Sequence, residues 1–126
     1  MQTSNKTILF LEDEQELLET VGNLLRDQGY LLVTAENAER AIELMKTTSP
    51  DLIIADIKLP GMDGFDFFHS VRKIEKFSKV PFIFLTAYND MGAMMYAKKA
   101  GAEEYITKPF DFEYLITRVR QLAPTK

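Results

Sequence analysis

Cysteine is absent from this chain, so disulfides and thiolate metal sites are excluded, and the composition suits a reducing compartment. No apolar run approaches membrane-spanning length, and the N-terminal MQTSNK is not followed by a signal-peptide core. A cytoplasmic protein with no membrane partner is expected. An excess of positive charge is also missing. With 15 basic and 19 acidic residues the net charge is −4, which leaves no electrostatic footprint for direct nucleic-acid contact.

What is present is the balance of a globular protein, 46% hydrophobic and 27% charged residues over 126 positions. That length predicts one domain, residues 1–126, with a core that needs no staples. The stretch Asp51 to Gly64, DLIIADIKLPGMDG, organises the reading. Leu52 to Ala55 is too short for a helix and rich in β-branched residues, so it reads as a buried strand that ends in the carboxylate of Asp56. Pro60, Gly61, Asp63 and Gly64 supply turn chemistry before a helix predicted from Phe65.

The other segments repeat this alternation. Strands are predicted at Thr7 to Leu11, Leu31 to Ala35, Pro81 to Leu85 and Glu104 to Thr107. Apolar residues at helical spacing mark the intervening helices: Leu17, Leu18, Val21, Leu24 and Leu25, then Ala38, Ala41, Ile42 and Met45, then Phe65, Phe68 and Val71. A fourth helix runs from Asp90 to Ala100 with Gly101 as its cap, and Leu115, Ile116, Val119 and Leu122 define a fifth. Five strands alternating with five helices predict an α/β fold, a doubly wound parallel sheet covered on both faces. In the order 2-1-3-4-5, the first and third strands meet at the switch point where ligands bind.

Four strands end in residues able to do chemistry: Glu12 with Asp13, then Asp56, Thr86 and Lys108. Three carboxylates in one crevice would repel unless a hard cation bridged them, and few carboxylates with several waters suit Mg²⁺. Lys108 is a point charge suited to a phosphoryl group that such a metal would attract, and Thr86 adds a hydroxyl.

The LEDE run with Glu12 and Asp13, Asp56 within DIKLPGMDG, Thr86 followed by Ala87, and Lys108 in ITKPF together resemble the CheY-like receiver domain of two-component response regulators. The resemblance covers nearly the whole chain. It implies phosphoryl transfer to Asp56 from a sensor histidine kinase or phosphotransfer protein. It also implies Mg²⁺ held by Asp13, Asp56 and the Lys58 backbone carbonyl, with Glu12 acting through a water. Thr86 would close on the phosphoryl group while Tyr105 turns inward, a two-state element biased by one charge event. A cis peptide between Lys108 and Pro109 is implied as well, although trans is the default for most X-Pro bonds.

Singly these residues have ordinary explanations: a capping carboxylate at Asp56, first-turn acids at Glu12 and Asp13, an N-cap at Thr86, a surface charge at Lys108 and a packing aromatic at Tyr105. Their joint placement at strand ends is what points to a site. His69, the only histidine, reads as a surface residue, so the chain looks like an acceptor and not a histidine donor. Met91, Met94, Met95 and Tyr96 read first as core or crevice packing. The resemblance implies that helix 4, strand 5 and helix 5 form the surface that changes, with homodimerisation possible and Glu104 and Arg118 as an intersubunit ion pair. Met94 and Tyr114 stand where the DNA-binding subclass usually carries Lys and Glu.

A degenerate receiver serving only as a binding module is one alternative. A Mg²⁺-dependent aspartyl-phosphate phosphatase is another, but it would need an acid two residues after the nucleophile, where this chain has Lys58. An FMN protein of the flavodoxin-like fold would need a phosphate-cradling loop where Glu12, Asp13 and Glu14 stand. The favoured expectation is a switch whose own phosphorylation and dephosphorylation are its only chemistry.

Overall fold

A computed structural model describes residues 5–125. Its elements run β1 (Thr7–Leu11), α1 (Gln15–Asp27), β2 (Leu31–Ala35), α2 (Ala38–Met45), β3 (Leu52–Ala55), α3 (Gly64–Lys73), a 3₁₀ turn (Glu75–Phe77), β4 (Phe82–Thr86), α4 (Met91–Ala100), β5 (Glu104–Thr107) and α5 (Phe112–Leu122). The five strands form one parallel sheet in the order β2-β1-β3-β4-β5, as expected. No helix among the described residues is long and apolar enough to cross a membrane.

Period-two alternation along fully buried strands divides the core between the two faces of the sheet. Leu9, Leu11, Ile53, Phe82 and Phe84 point to one face, where α2, α3 and α4 contribute Ala41, Phe67, Phe68, Val71 and Ala97. Ile8, Phe10, Leu52, Ile54 and Ile83 point to the other, against Leu18, Val21 and Leu25 of α1 and Leu115 and Val119 of α5.

Three elements differ at their bounds from the sequence reading, among them α4, which starts at Met91 because Asp90 is its N-cap. Helix α3 starts at Gly64, with Asp63 as N-cap accepting from the Asp66 N–H at 2.9 Å, and it buries Phe67 beside Phe68 and Val71 while Phe65 is only half-buried. Strand β4 is Phe82–Thr86, one residue later than expected, because Pro81 has no N–H for the ladder and contributes its carbonyl to Ile53 N–H instead. A 3₁₀ turn follows α3, with the Phe77 N–H donating to the Ile74 carbonyl at 2.9 Å. Arg72 reaches over it, donating to the Val80 carbonyl at 2.7 Å, and burial lowers the pKa of its guanidinium against the opposing charge of Glu103.

Asp63, Asp90 and Asp111 cap α3, α4 and α5 through their side chains, and Asn37 caps α2. Helix α1 is the exception: the Glu14 N–H at its start donates to Glu12 Oε2 at 3.0 Å, which ties the helix entry to the sheet edge.

Gly64 lets α3 begin directly against the end of β3. Its N–H donates to the Ile57 carbonyl at 2.8 Å, and a Cβ there would sit 2.1 Å from the Asp56 carbonyl oxygen. Gly64→Ala should therefore cost about 3 kcal/mol, at the upper end of ordinary overpacking. Gly29→Ala, where φ is +97° in open space, should cost about 1–2 kcal/mol. Urea midpoints of both variants check the ranking; equal losses would contradict the close approach at Gly64.

Candidate functional site

The ladder carries the chain one residue past each strand and so delivers its polar residues to one edge. Glu12 N–H donates to the Ala35 carbonyl, Asp56 N–H to that of Leu11, and Lys108 N–H to that of Thr86, at 3.0, 3.0 and 2.8 Å. Glu12, Asp56 and Thr86 are buried there, while Asp13 remains exposed.

Lys108 sits between the acids. Its Nζ lies 2.9 Å from Glu12 Oε1 and 3.0 Å from Asp56 Oδ2, with Glu14 farther out at 3.8 Å. The Lys108–Pro109 peptide is cis, as the resemblance implied. Asp56 Oδ1 accepts from the Ile57 N–H at 2.6 Å and from the Lys58 N–H at 3.3 Å, so each carboxylate oxygen has a donor. Burial pushes the Glu12 carboxyl up; the bonds from Lys108 and the Glu14 N–H offset only part of that. Burial acts against the Lys108 ammonium, but the bonds to Glu12 and Asp56 outweigh it and raise its pKa.

One oxygen from each of Glu12, Asp13 and Asp56 lies within 4.8 Å of the others. Three hard oxygen donors, with a net negative charge that one ammonium does not cancel, fit a Mg²⁺ ion. The carboxylates are therefore not wholly unpaired, as the bare sequence suggested, since Lys108 already partners two of them.

Thr86 Oγ1 accepts from the Tyr88 N–H at 3.1 Å. Asp90, not Thr86, is the cap of α4. Tyr105 is buried, with its hydroxyl donating to the Tyr88 carbonyl at 2.6 Å. The Lys58 side chain lies over the Tyr88 ring, 4.5 Å from its centroid. Tyr88 thus flanks the site, as its place two residues after Thr86 implies.

The other expectations sort by location. Met91 and Met95 are 70% and 64% exposed and Tyr96 is exposed too, so most of that cluster is surface, and only Met94 packs on the core. His69 is not a free surface group: its Nε2 lies 2.6 Å from the Tyr96 hydroxyl. Glu104 and Arg118 do meet, but within one chain, at 3.1 Å, and the Tyr114 hydroxyl donates to the same carboxylate. Burial opposes ionisation of Glu104, yet the bonds from Tyr114, the Tyr105 N–H and Arg118 lower its pKa.

A model of the response regulator receiver domain matches residues 8–120. The chain belongs to that family. Sporulation initiation phosphotransferase F of Bacillus subtilis is 29% identical over 122 residues, 97% of each chain. Sensory transduction protein BceR of Halalkalibacterium halodurans is 34% identical over 115 residues, which is 91% of this chain and 48% of that protein. The chain spans about half the length of several curated relatives it matches. The non-phosphorylated HemR receiver domain from Leptospira biflexa superposes with a TM-score of 0.86 at 30% identity, covering 94% of both chains. As a receiver, the chain functions in phosphorelay signalling, and its acidic cluster is of the kind through which receivers take Mg²⁺.

The buried Tyr105 phenol has a pKa pushed up to about 12, first by burial and then by Tyr88, Asp90 and Asp56. An unfolded chain gives up this proton near the usual phenol value of about 10, so between those limits the folded state holds the proton more tightly. Stability from Tyr105 should be intact below about pH 10 and fall as pH rises toward 12. Urea unfolding across that range should show a shallower decline for Tyr105→Phe than for the wild type; parallel declines would refute the assignment.

Proposed function

We propose that Asp56 is the phosphoryl acceptor of a receiver that takes its phosphoryl group from a sensor histidine kinase or a phosphotransfer protein. The observation that carries this reading is the placement of the Asp56 carboxylate at the C-terminal edge of β3, between Lys108 and the acid pair Glu12 and Asp13. An Asp56 oxygen attacks phosphorus and forms the new O–P bond as the donor's N–P bond breaks. The electron pair leaves on the imidazole, which takes up a proton.

Asp13, Asp56 and the Lys58 carbonyl would hold Mg²⁺, with Glu12 acting through a water. Such an ion would supply positive charge to phosphoryl oxygens, which lets the Asp56 carboxylate approach a second anion. Lys108 holds a second positive charge beside the same oxygens. Its bond to Glu12 keeps the ammonium directed into the crevice.

Thr86 and Tyr105 form the switch in this reading. The Thr86 hydroxyl turns to the new phosphoryl group, and the bond shared through Tyr88 passes that change to Tyr105 on β5. The surface of α4, β5 and α5 then controls an output domain or partner, and the same surface would join two copies of the chain in a homodimer. The Glu104–Arg118 pair would have to open within each chain before it could join two copies. The chain's only chemistry is its own phosphorylation and dephosphorylation.

Intact mass after incubation with acetyl phosphate tests the reading. One phosphoryl adduct that needs Mg²⁺ and is absent in Asp56→Asn is expected. If no adduct forms with acetyl phosphate or with a histidine-kinase donor, a receiver that serves only as a binding module is left.

A further inference from the structure

Tyr88 joins groups from both walls of the crevice. Its N–H donates to Thr86 Oγ1, its carbonyl accepts from the Tyr105 hydroxyl, and its half-buried ring lies under the Lys58 ammonium. Lys58 belongs to the segment after β3 and Tyr88 to the segment after β4, so the cation–π contact bridges the two walls. Lys58 is exposed, and its flexible four-carbon stem starts two residues from Asp56, to which its own N–H donates at 3.3 Å.

We infer that Lys58 is a charge-operated latch: its ammonium holds the Tyr88 ring in the unphosphorylated chain and exchanges it for phosphoryl oxygens once Asp56 is modified. The inference rests on the reading of Asp56 as the acceptor. A cation on a partly exposed aromatic face is held only weakly. A phosphoryl group brings nearly two negative charges and strong acceptor oxygens, and a charge-assisted hydrogen bond to it outcompetes the ring.

Lys108 is already engaged by Glu12 and Asp56, and Lys58 adds a second, exposed ammonium on a flexible stem beside the new charge. Its departure removes one of three restraints on Tyr88, and the other two are the bonds to Thr86 and Tyr105. Lys58 is thus a positioning residue for the switch, acting through Tyr88.

Nuclear magnetic resonance of the full chain reads the latch directly, because methylene protons over an aromatic face are shifted upfield. The Lys58 ε-methylene signal should be upfield in the wild type and ordinary in Tyr88→Leu. It should move back to the ordinary position when acetyl phosphate and Mg²⁺ phosphorylate the wild type, with intact mass of the same sample reporting the adduct. An adduct with an unmoved Lys58 signal overturns the latch and leaves the acceptor reading standing. Absence of the adduct with every donor overturns the acceptor reading and the latch with it. Lys58→Met, which keeps the stem and removes the charge, should speed hydrogen exchange of the Tyr88 amide about two- to fivefold, the factor expected for loss of an exposed cation–π contact. Unchanged exchange would overturn the restraint.

Discussion

Two carboxylates buried side by side lose hydration and repel each other, and an apolar sheet can hold them only with a cation between them. Here that cation is the Lys108 ammonium, in contact with both Glu12 and Asp56. The contact joins residues 96 and 52 positions apart in the chain. It brings the end of β5 to the ends of β1 and β3 across the intervening β4. The geometry around it follows: Asp56 keeps one oxygen for the amides of its own loop, and Glu12 uses its second oxygen to start α1.

Parallel strands make this convergence possible. Every C-terminal end lies on the same edge, so a polar residue placed just after each apolar run arrives in the same crevice. The apolar runs of β1, β3 and β4 are buried on both faces and have no freedom to slip, because a shift of one residue would exchange the two halves of the core. A rigid sheet therefore presents a charged edge, and the connecting segments carrying Lys58 and Tyr88 are where movement can occur.

Much of this was legible in the sequence because acids and Lys108 interrupt short apolar runs at regular intervals, which fixes strand ends as well as strand identity. The strand order and the meeting of Glu12, Asp13, Asp56 and Lys108 were expected and are observed. Less was legible where several choices share one period. Phe65, Phe67 and Phe68 all fit a helix, and only the start of α3 at Gly64 decides that Phe67 and Phe68 face the core. The Glu104–Arg118 pair shows a different limit: complementary charges predict a contact but not whether it closes within a chain or between two. Contacts between loops, such as Lys58 on Tyr88, leave no periodic trace at all.

The tyrosines have a spectroscopic consequence. The chain has no tryptophan and five tyrosines, so phenol emission is not drained by energy transfer to an indole. The Tyr105 phenol is bonded to the Tyr88 carbonyl at the crevice, and the phenols of Tyr30, Tyr96 and Tyr114 are held at separate places by Ala123, His69 and Glu104. The molecule thus carries its own optical probe beside Asp56, and changes in the crevice can be followed by ultraviolet fluorescence without attaching a dye.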